Sequence, residues 1–386
     1  MKVIHVFTIS ATAKSFFDGQ FKYLTDKGHE IIVVSQSEND PVFEHRNNIK
    51  EVRIPIERKI SLGDDIKAIR QLISLFKKER CEMVVGHTPK GAMVAMIASW
   101  FAGIPLRVYY RHGLIYTTAK GVKRFVFKTV ERMTALFSNK IVNVSPSLSK
   151  LAVKDHLNGE WKQVVIGRGT CGGIDAKTLF NPELLDSSKL VALREKYGIK
   201  PNDYVVGFCG RLCRDKGIIE LYEGFRLFCN NNPDIPAKLL LIGRWDTRDV
   251  LPEDKKRLLE SDSRVVLTGG VPKNELPSLY SLMDVFVFPS YREGFGMCVL
   301  EASAMEKPIL VSRCHGCVDS IEEHKTGEYI DITPEDIASH LREMHNLELR
   351  VKMGLEGRKF VLENFDFSVM FPMIEKLYKE FDKDSK

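Results

Sequence analysis

The residues best suited to chemistry lie in the second half of the chain. Gly210-Arg211-Leu212-Cys213-Arg214-Asp215-Lys216-Gly217 directly follows an apolar run ending at Cys209. A glycine-bounded turn at a strand end lets the backbone approach a ligand closely. Arg211 offers a fork of donors to phosphate oxygens, and Lys216 adds a second positive charge. A charged surface loop with no ligand has the same composition, so the turn alone leaves both readings open. Pro289-Ser290-Tyr291-Arg292-Glu293-Gly294-Phe295-Gly296-Met297 follows another apolar run, 285–288, and enters a helix that carries Glu301. Gly294 and Gly296 expose backbone N–H groups where the positive end of that helix lies, which makes an anion site. Glu293 and Glu301 are poor phosphate ligands but good acceptors for the hydroxyls of a ribose or hexose. The competing reading is one solvated glutamate and one capping glutamate. Cys314-His315-Gly316-Cys317-Val318-Asp319 puts a third glycine turn after the run 309–312, and we read it as lining the same pocket. Its Cys-x-x-Cys spacing suits redox chemistry or zinc. Zinc needs two further ligands, however; no second Cys-x-x-Cys exists, and Cys209 and Cys213 are wrongly spaced.

These turns need strands to carry them. Apolar runs at 3–9, 30–35, 83–86, 107–110 and 140–144 alternate with amphipathic segments at 16–27, 62–78, 91–102 and 121–137. The pattern restarts with runs at 204–209, 237–242, 264–267, 285–288 and 309–312. Helical segments lie at 218–230, 253–260, 275–282 and 297–305. Alternation of this kind implies parallel sheets covered by helices on both faces. The fold expected is α/β: two tandem Rossmann-like doubly wound domains facing across a cleft. Ligands in such sheets sit at the carboxyl ends of the strands, and the cleft is the default site. The domains are placed at 1–170 and 171–365, with the linker near 167–175, which holds four glycines in nine residues. Residues 366–386 form a C-terminal helix, patterned over 368–381, that packs back on the first domain and ends in a frayed tail. The start of the chain resembles a weak signal peptide, but His5 interrupts its apolar run, and a buried first strand fits better.

Gly-Arg-Leu-x3-Lys-Gly followed about 80 residues later by Pro-Ser-x2-Glu-Gly-Phe-Gly-x4-Glu resembles the retaining glycosyltransferases of family 4, which have the GT-B fold. The resemblance extends over most of the chain and is most specific in the second half. It implies that Arg211 and Lys216 bind a nucleotide diphosphate, that Glu293 contacts hydroxyls of the donor sugar, and that Glu301 binds the ribose. Backbone groups of Gly294, Phe295, Gly296 and Met297 would touch sugar and phosphate. Thr268-Gly269-Gly270-Val271 resembles the strand end that holds the nucleobase, through the backbone of Val271. Tyr110-Arg111-His112-Gly113 resembles the family's His-Gly element, which places His112 beside the donor sugar. The catalytic set implied is His112, Glu293, Arg211 and Lys216. His87-Thr88-Pro89-Lys90 also ends a strand, and His87 and Lys90 are expected to grip the acceptor. One departure stands out: where many members have a glycine-rich loop after the first strand, this chain has Ser10-Ala11-Thr12-Ala13-Lys14, a loop expected to track the diphosphate differently.

The resemblance is nearest to capsule, O-antigen and lipid-linked oligosaccharide enzymes. It implies a UDP-sugar donor, a polyprenyl-diphosphate-linked acceptor and a peripheral place on the cytoplasmic face of the inner membrane. Protein cations fill the role of a metal in this scheme, so no metal or other cofactor is expected. The only Asp-x-Asp, Asp382-Lys383-Asp384, lies in the tail. Composition agrees with a globular enzyme: 44% apolar and 28% charged residues in 386 exclude a disordered chain. Residues 1–165 hold 26 Lys and Arg against 15 Asp and Glu, an excess of +11, while the remainder carries −5. A basic first half points to an anionic partner. Lys120-Gly121-Val122-Lys123-Arg124-Phe125-Val126-Phe127-Lys128 mixes cations with bulky apolar residues, suiting either an anionic lipid surface or a core-packed amphipathic helix. The longest apolar stretch, 91–105, is too short to span a bilayer. Two other functions are open: a GT-B sugar-nucleotide epimerase and a polyanion-binding module. The second leaves the paired glutamates without a purpose, and no nucleic-acid motif accompanies the charge.

Overall fold

Unbroken runs of Val, Ile, Leu and Phe are what strands covered on both faces require. In the computed structural model, which describes residues 1–36, 43, 49–57 and 61–385, these runs build two parallel sheets in two units. The units are Met1–Gly173 with Phe367–Lys386, and Ile174–Asp366.

The first unit runs β1 (Lys2–Ile9), α1 (Ser10–Asp26), β2 (Glu30–Gln36), β3 (Ile49–Arg53), α2 (Leu62–Glu79), β4 (Met83–His87), α3 (Pro89–Phe101), β5 (Leu106–Arg111), α4 (Gly121–Phe137), β6 (Lys140–Asn143), α5 (Pro146–Lys154) and β7 (Gln163–Val165). Its strand order is β3-β2-β1-β4-β5-β6-β7, so winding reverses between β1 and β4. The second unit runs α6 (Ser187–Tyr197), β8 (Tyr204–Cys209), α7 (Ile218–Asn231), β9 (Ala237–Ile242), α8 (Glu253–Ser261), β10 (Val265–Gly269), α9 (Leu276–Ser281), β11 (Val285–Phe288), α10 (Met297–Ala304), β12 (Ile309–Ser312), β13 (Gly327–Ile330), α11 (Pro334–Glu343) and α12 (Leu347–Asn364). Its order is β10-β9-β8-β11-β12-β13, with the reversal between β8 and β11. The last helix, α13 (Phe367–Ser385), packs on α1: the Tyr23 hydroxyl donates to Glu375 Oε2 at 3.2 Å, and the Tyr23 and Phe371 rings lie 5.5 Å apart.

Several local expectations change. Ser10 to Lys14 do not form a loop; they are the first turn of α1, which starts directly after β1. The segment lacks glycine and proline, and Ala and Lys favour a helix. The helix α13 continues through Asp382-Lys383-Asp384 to Ser385. Among the described residues the sheets hold seven and six strands rather than five each. The additional strands, β3, β7 and β13, lie at sheet edges, where partial burial leaves no long apolar run. Helices α5, α6, α11 and α12 were also passed over, though Ser145, Asp186, Thr333 and Asn346 cap them by accepting N–H groups of their first turns.

Candidate active site

In the second unit, the turns after β8 and β11 flank the winding reversal, where a doubly wound sheet opens a crevice at the strand ends. Glycine makes their approach possible. Gly217 has φ 64°, and a Cβ there would lie 2.1 Å from the Pro289 carbonyl oxygen. Lys216, just before it, is buried to 9% exposure and turns its ammonium onto Glu293 Oε1, with Ser290 Oγ at 3.4 Å. The Phe288 ring lies 5.2 Å from the same ammonium. Burial pushes the Lys216 ammonium below the ordinary lysine value. The pair is a cation and a carboxylate held ready beside the α10 N-terminus, with Gly296 as its N-cap at φ 81°. Gly294 N–H donates to Glu293 Oε2 at 3.3 Å, which anchors the other carboxylate oxygen.

Arg211 is half exposed and pairs with Asp246, whose carboxylate is buried. Burial alone would raise the Asp246 pKa. Backbone N–H donors from Arg248 and Asp249, together with the Arg211 guanidinium, overcome that and bring it down to about 2. Asp246 thus fixes one side of the guanidinium while the rest stays open to an anion. Sequence reasoning missed Asp246, yet it follows β9 as the recognised turns follow β8, β11 and β12. The strand-end rule applied there would have found it.

Glu301 lies along α10 and accepts from the Tyr280 hydroxyl at 2.8 Å. Burial raises its pKa, against the pull of Lys273 and that hydroxyl. The Phe295 side chain packs on Phe365 and is 1% exposed, so only its backbone is available to a ligand. Val271 lies half buried in the loop after β10. Gly316, at φ 86°, brings the third turn against Gly294: a Cβ would meet the Gly294 carbonyl oxygen at 2.4 Å. Cys314 and Cys317 are free, and the hydrogen bond between them holds the Cys314 thiol below its usual value. Among the described residues no third ligand joins them to hold zinc.

The first unit places a different set at its own reversal. His87 ends β4, and His112 follows β5. His87 Nδ1 lies 3.0 Å from His112 Nε2, and His87 Nε2 lies 2.9 Å from His5 Nδ1 on β1. Burial pushes His112 down to about 4 and His5 to about 3, so the imidazoles are neutral at pH 7. His87, expected to grip the acceptor, is fully buried, stacks 4.1 Å from Phe7, and has both nitrogens engaged. Lys90 does not present a free cation either. It is buried on α3 and paired with Asp65 of α2.

Comparison with known proteins agrees with this architecture. Residues 20–170 match the family described as Glycosyltransferase Family 4, and residues 192–360 match Glycosyl transferases group 1. The capsular polysaccharide biosynthesis glycosyltransferase CapM of Staphylococcus aureus is 33% identical over 388 residues, covering 100% of this chain and 98% of that protein. The UDP-Gal:alpha-D-GlcNAc-diphosphoundecaprenol alpha-1,3-galactosyltransferase of Escherichia coli is 25% identical over 366 residues, covering 93% and 91%. In fold, the chain is similar to Alr3699/HepE of Anabaena, solved with UDP and glucose, at a TM-score of 0.79 and 17% identity over 98% of this chain and 99% of that one. The chain therefore belongs to the family-4 glycosyltransferases and has their GT-B fold.

Proposed function

We propose that this glycosyltransferase moves a sugar from a UDP-sugar to a polyprenyl-diphosphate-linked glycan in surface-polysaccharide synthesis, with retention of anomeric configuration. The observation that carries the donor half is the Lys216–Glu293 pair beside the α10 N-terminus, with the half-open Arg211 guanidinium in the neighbouring turn. The departing diphosphate gains negative charge as the glycosidic bond breaks. Lys216, Arg211 and the helix N-terminus supply positive charge for it, and such preorganised charge is usually the largest catalytic contribution. When the diphosphate draws the ammonium away, Glu293 is released to accept from sugar hydroxyls, and Glu301 accepts from the ribose. The family resemblance is the ground for assigning His112 to the donor sugar. The names of the S. aureus and E. coli relatives support the capsule setting and the lipid-linked acceptor.

Membrane contact through α4 belongs to the same reading. Val122 and Phe125 are 79% and 69% exposed, and Lys123 and Arg124 beside them are exposed too. Lys128 instead pairs with Asp155 at 3.2 Å and is committed to the fold. No helix among the described residues is long and apolar enough to cross a membrane. Protein cations carry the charge, so no divalent metal is required.

The test is a reaction of purified protein with UDP-sugars and a synthetic polyprenyl-diphosphate-linked acceptor, reading product anomericity by NMR. An α-linked product from an α-linked donor is expected, with turnover unchanged by EDTA. Inversion would overturn the stereochemical assignment, and loss with EDTA restored by magnesium would overturn the metal-free scheme.

A further inference from the structure

The three histidines of the first unit have a register that explains their alignment. His5 pairs with Val85 across β1 and β4, and His87 pairs with Tyr110 across β4 and β5. Side chains two residues apart in a strand share a face. His87 therefore lies on the face of His5, one step further along, and His112 follows Tyr110 by the same step. The result is a diagonal row of imidazoles across three neighbouring strands. Phe7 and Phe17 close round its middle, at 4.1 and 4.7 Å from the His87 ring, and Phe21 lies 4.6 Å from His5.

Each bridge between two neutral imidazoles holds one hydrogen, so fixing one ring fixes all three. Two arrangements are available. In one, every ring carries its hydrogen on Nδ1, and His5 Nε2 is a bare lone pair. In the other, every ring carries it on Nε2, and His5 buries an N–H. His5 is fully buried, and no described residue gives its Nε2 a hydrogen-bond partner. A buried N–H without an acceptor is the rarer and costlier defect. The first arrangement therefore holds: His5 Nδ1–H donates to His87, and His87 Nδ1–H donates to His112. His112 Nε2 is consumed as an acceptor, and its Nδ1–H is left as the donor for a ligand.

We propose that His5 and His87 are positioning residues of the transfer reaction, a buried relay that holds His112 in the Nδ1–H tautomer so that it presents a hydrogen-bond donor to the donor sugar. This rests on the reading of His112 as the residue beside that sugar. A neutral donor suits a sugar hydroxyl oxygen, and the apolar wall round the relay keeps a charge from replacing it. His5 touches no substrate in this account; it acts only through His87.

The test labels the histidine imidazoles with 15N and reads their tautomers from long-range 15N–1H correlations. The unaltered protein is expected to show Nδ1–H on His5, His87 and His112. His5→Phe removes the first donor, so His112 should become a mixture of tautomers. Its kcat should fall roughly tenfold, the scale of one neutral hydrogen bond. The Kd for UDP alone should not move. His5→Asn, whose amide can donate from the place of Nδ1, should recover most of the kcat. The relay is overturned if His112 carries its hydrogen on Nε2 in the unaltered protein, a result that needs no variant to fold. It is overturned equally if His5→Phe leaves the His112 spectrum unchanged. Absence of turnover with any nucleotide sugar would instead refute the functional reading, and the tautomer spectrum would still decide the relay.

Discussion

The two units solve the same topological problem with opposite chemistry. Each winds a parallel sheet outward from a central strand and gathers functional side chains where the winding reverses. In the second unit these are charged: Lys216 on Glu293, Arg211 on Asp246. In the first they are neutral, three imidazoles walled by Phe7, Phe17 and Phe21. The difference teaches that topology supplies a location but not a chemistry. In the proposed reaction the charge of the second unit lies where a leaving group would need it, and each of these ions has a partner. On the same proposal the imidazoles would present one oriented hydrogen bond without placing a charge there.

This contrast can be broken at its charged end first. Lys216→Met is expected to lower transfer by about 10²–10³-fold, the loss seen when one preorganised donor is removed. It should also destabilise the second unit by up to about 3 kcal/mol, because Glu293 is left without its cation. A loss under tenfold in steady-state assays would mean that the buried charge is structural only. Arg211→Ala is expected to cost about 10² in transfer. Its ion pair is half exposed and Asp246 keeps its backbone donors, so the melting temperature should stay within a few degrees. A large drop in melting temperature would show that Arg211 belongs to the scaffold.

Acid sharpens the comparison from the other side. His5 and His112 have folded pKa values lowered to about 3 and about 4, against about 6.5 unfolded, so the folded state binds fewer protons. Their contribution is complete above pH 6.5 and is lost as pH falls towards 4 and then 3. Each imidazole costs at most about 1.4 kcal/mol per pH unit across that window. Asp246, lowered to about 2 from 3.8, keeps its contribution until pH falls below 3.8. Of the histidines in the second unit, His345 is lowered, and it is only partly buried. Hydrogen exchange at pH 5 and pH 7, corrected for intrinsic rates, should show protection lost in β1, β4 and β5 before β8 and β11. Equal loss in both units would contradict the contrast. The smallest effect concerns the surface: Lys123→Ser with Arg124→Ser should weaken binding to vesicles containing anionic lipid by roughly thirtyfold, at about 1 kcal/mol per charge. Adding Lys128→Ser should change little more, since Asp155 already holds it. Unchanged vesicle binding would remove α4 from the membrane reading.

Much of the second unit was legible in sequence because its chemistry is local. Arg211, Lys216, Glu293 and Gly296 lie within short turns after apolar runs, Glu301 lies on the helix that the second turn enters, and the glycines mark where backbones must approach. Strands buried on both faces announce themselves as unbroken apolar runs, which is why β8, β9, β11 and β12 were placed to the residue. Edge strands β3, β7 and β13 carry no such signal. The four overlooked helices did carry cap residues, and those signals were readable at Ser145-Pro146 and Thr333-Pro334.

The sequence by itself determined the alternation of strands and helices, and with it two parallel sheets with their turns at the carboxyl ends. It also determined the cations and carboxylates those turns hold, since each is set by its neighbours in the chain. Only the tertiary structure decided that Lys216 closes on Glu293, that Arg211 leans on Asp246, and that His87 and Lys90 are engaged inside the fold. It alone aligned His5, His87 and His112, because strand register joins residues 82 and 25 positions apart. Register is settled by which faces are buried across the whole sheet, a property no short stretch of chain contains.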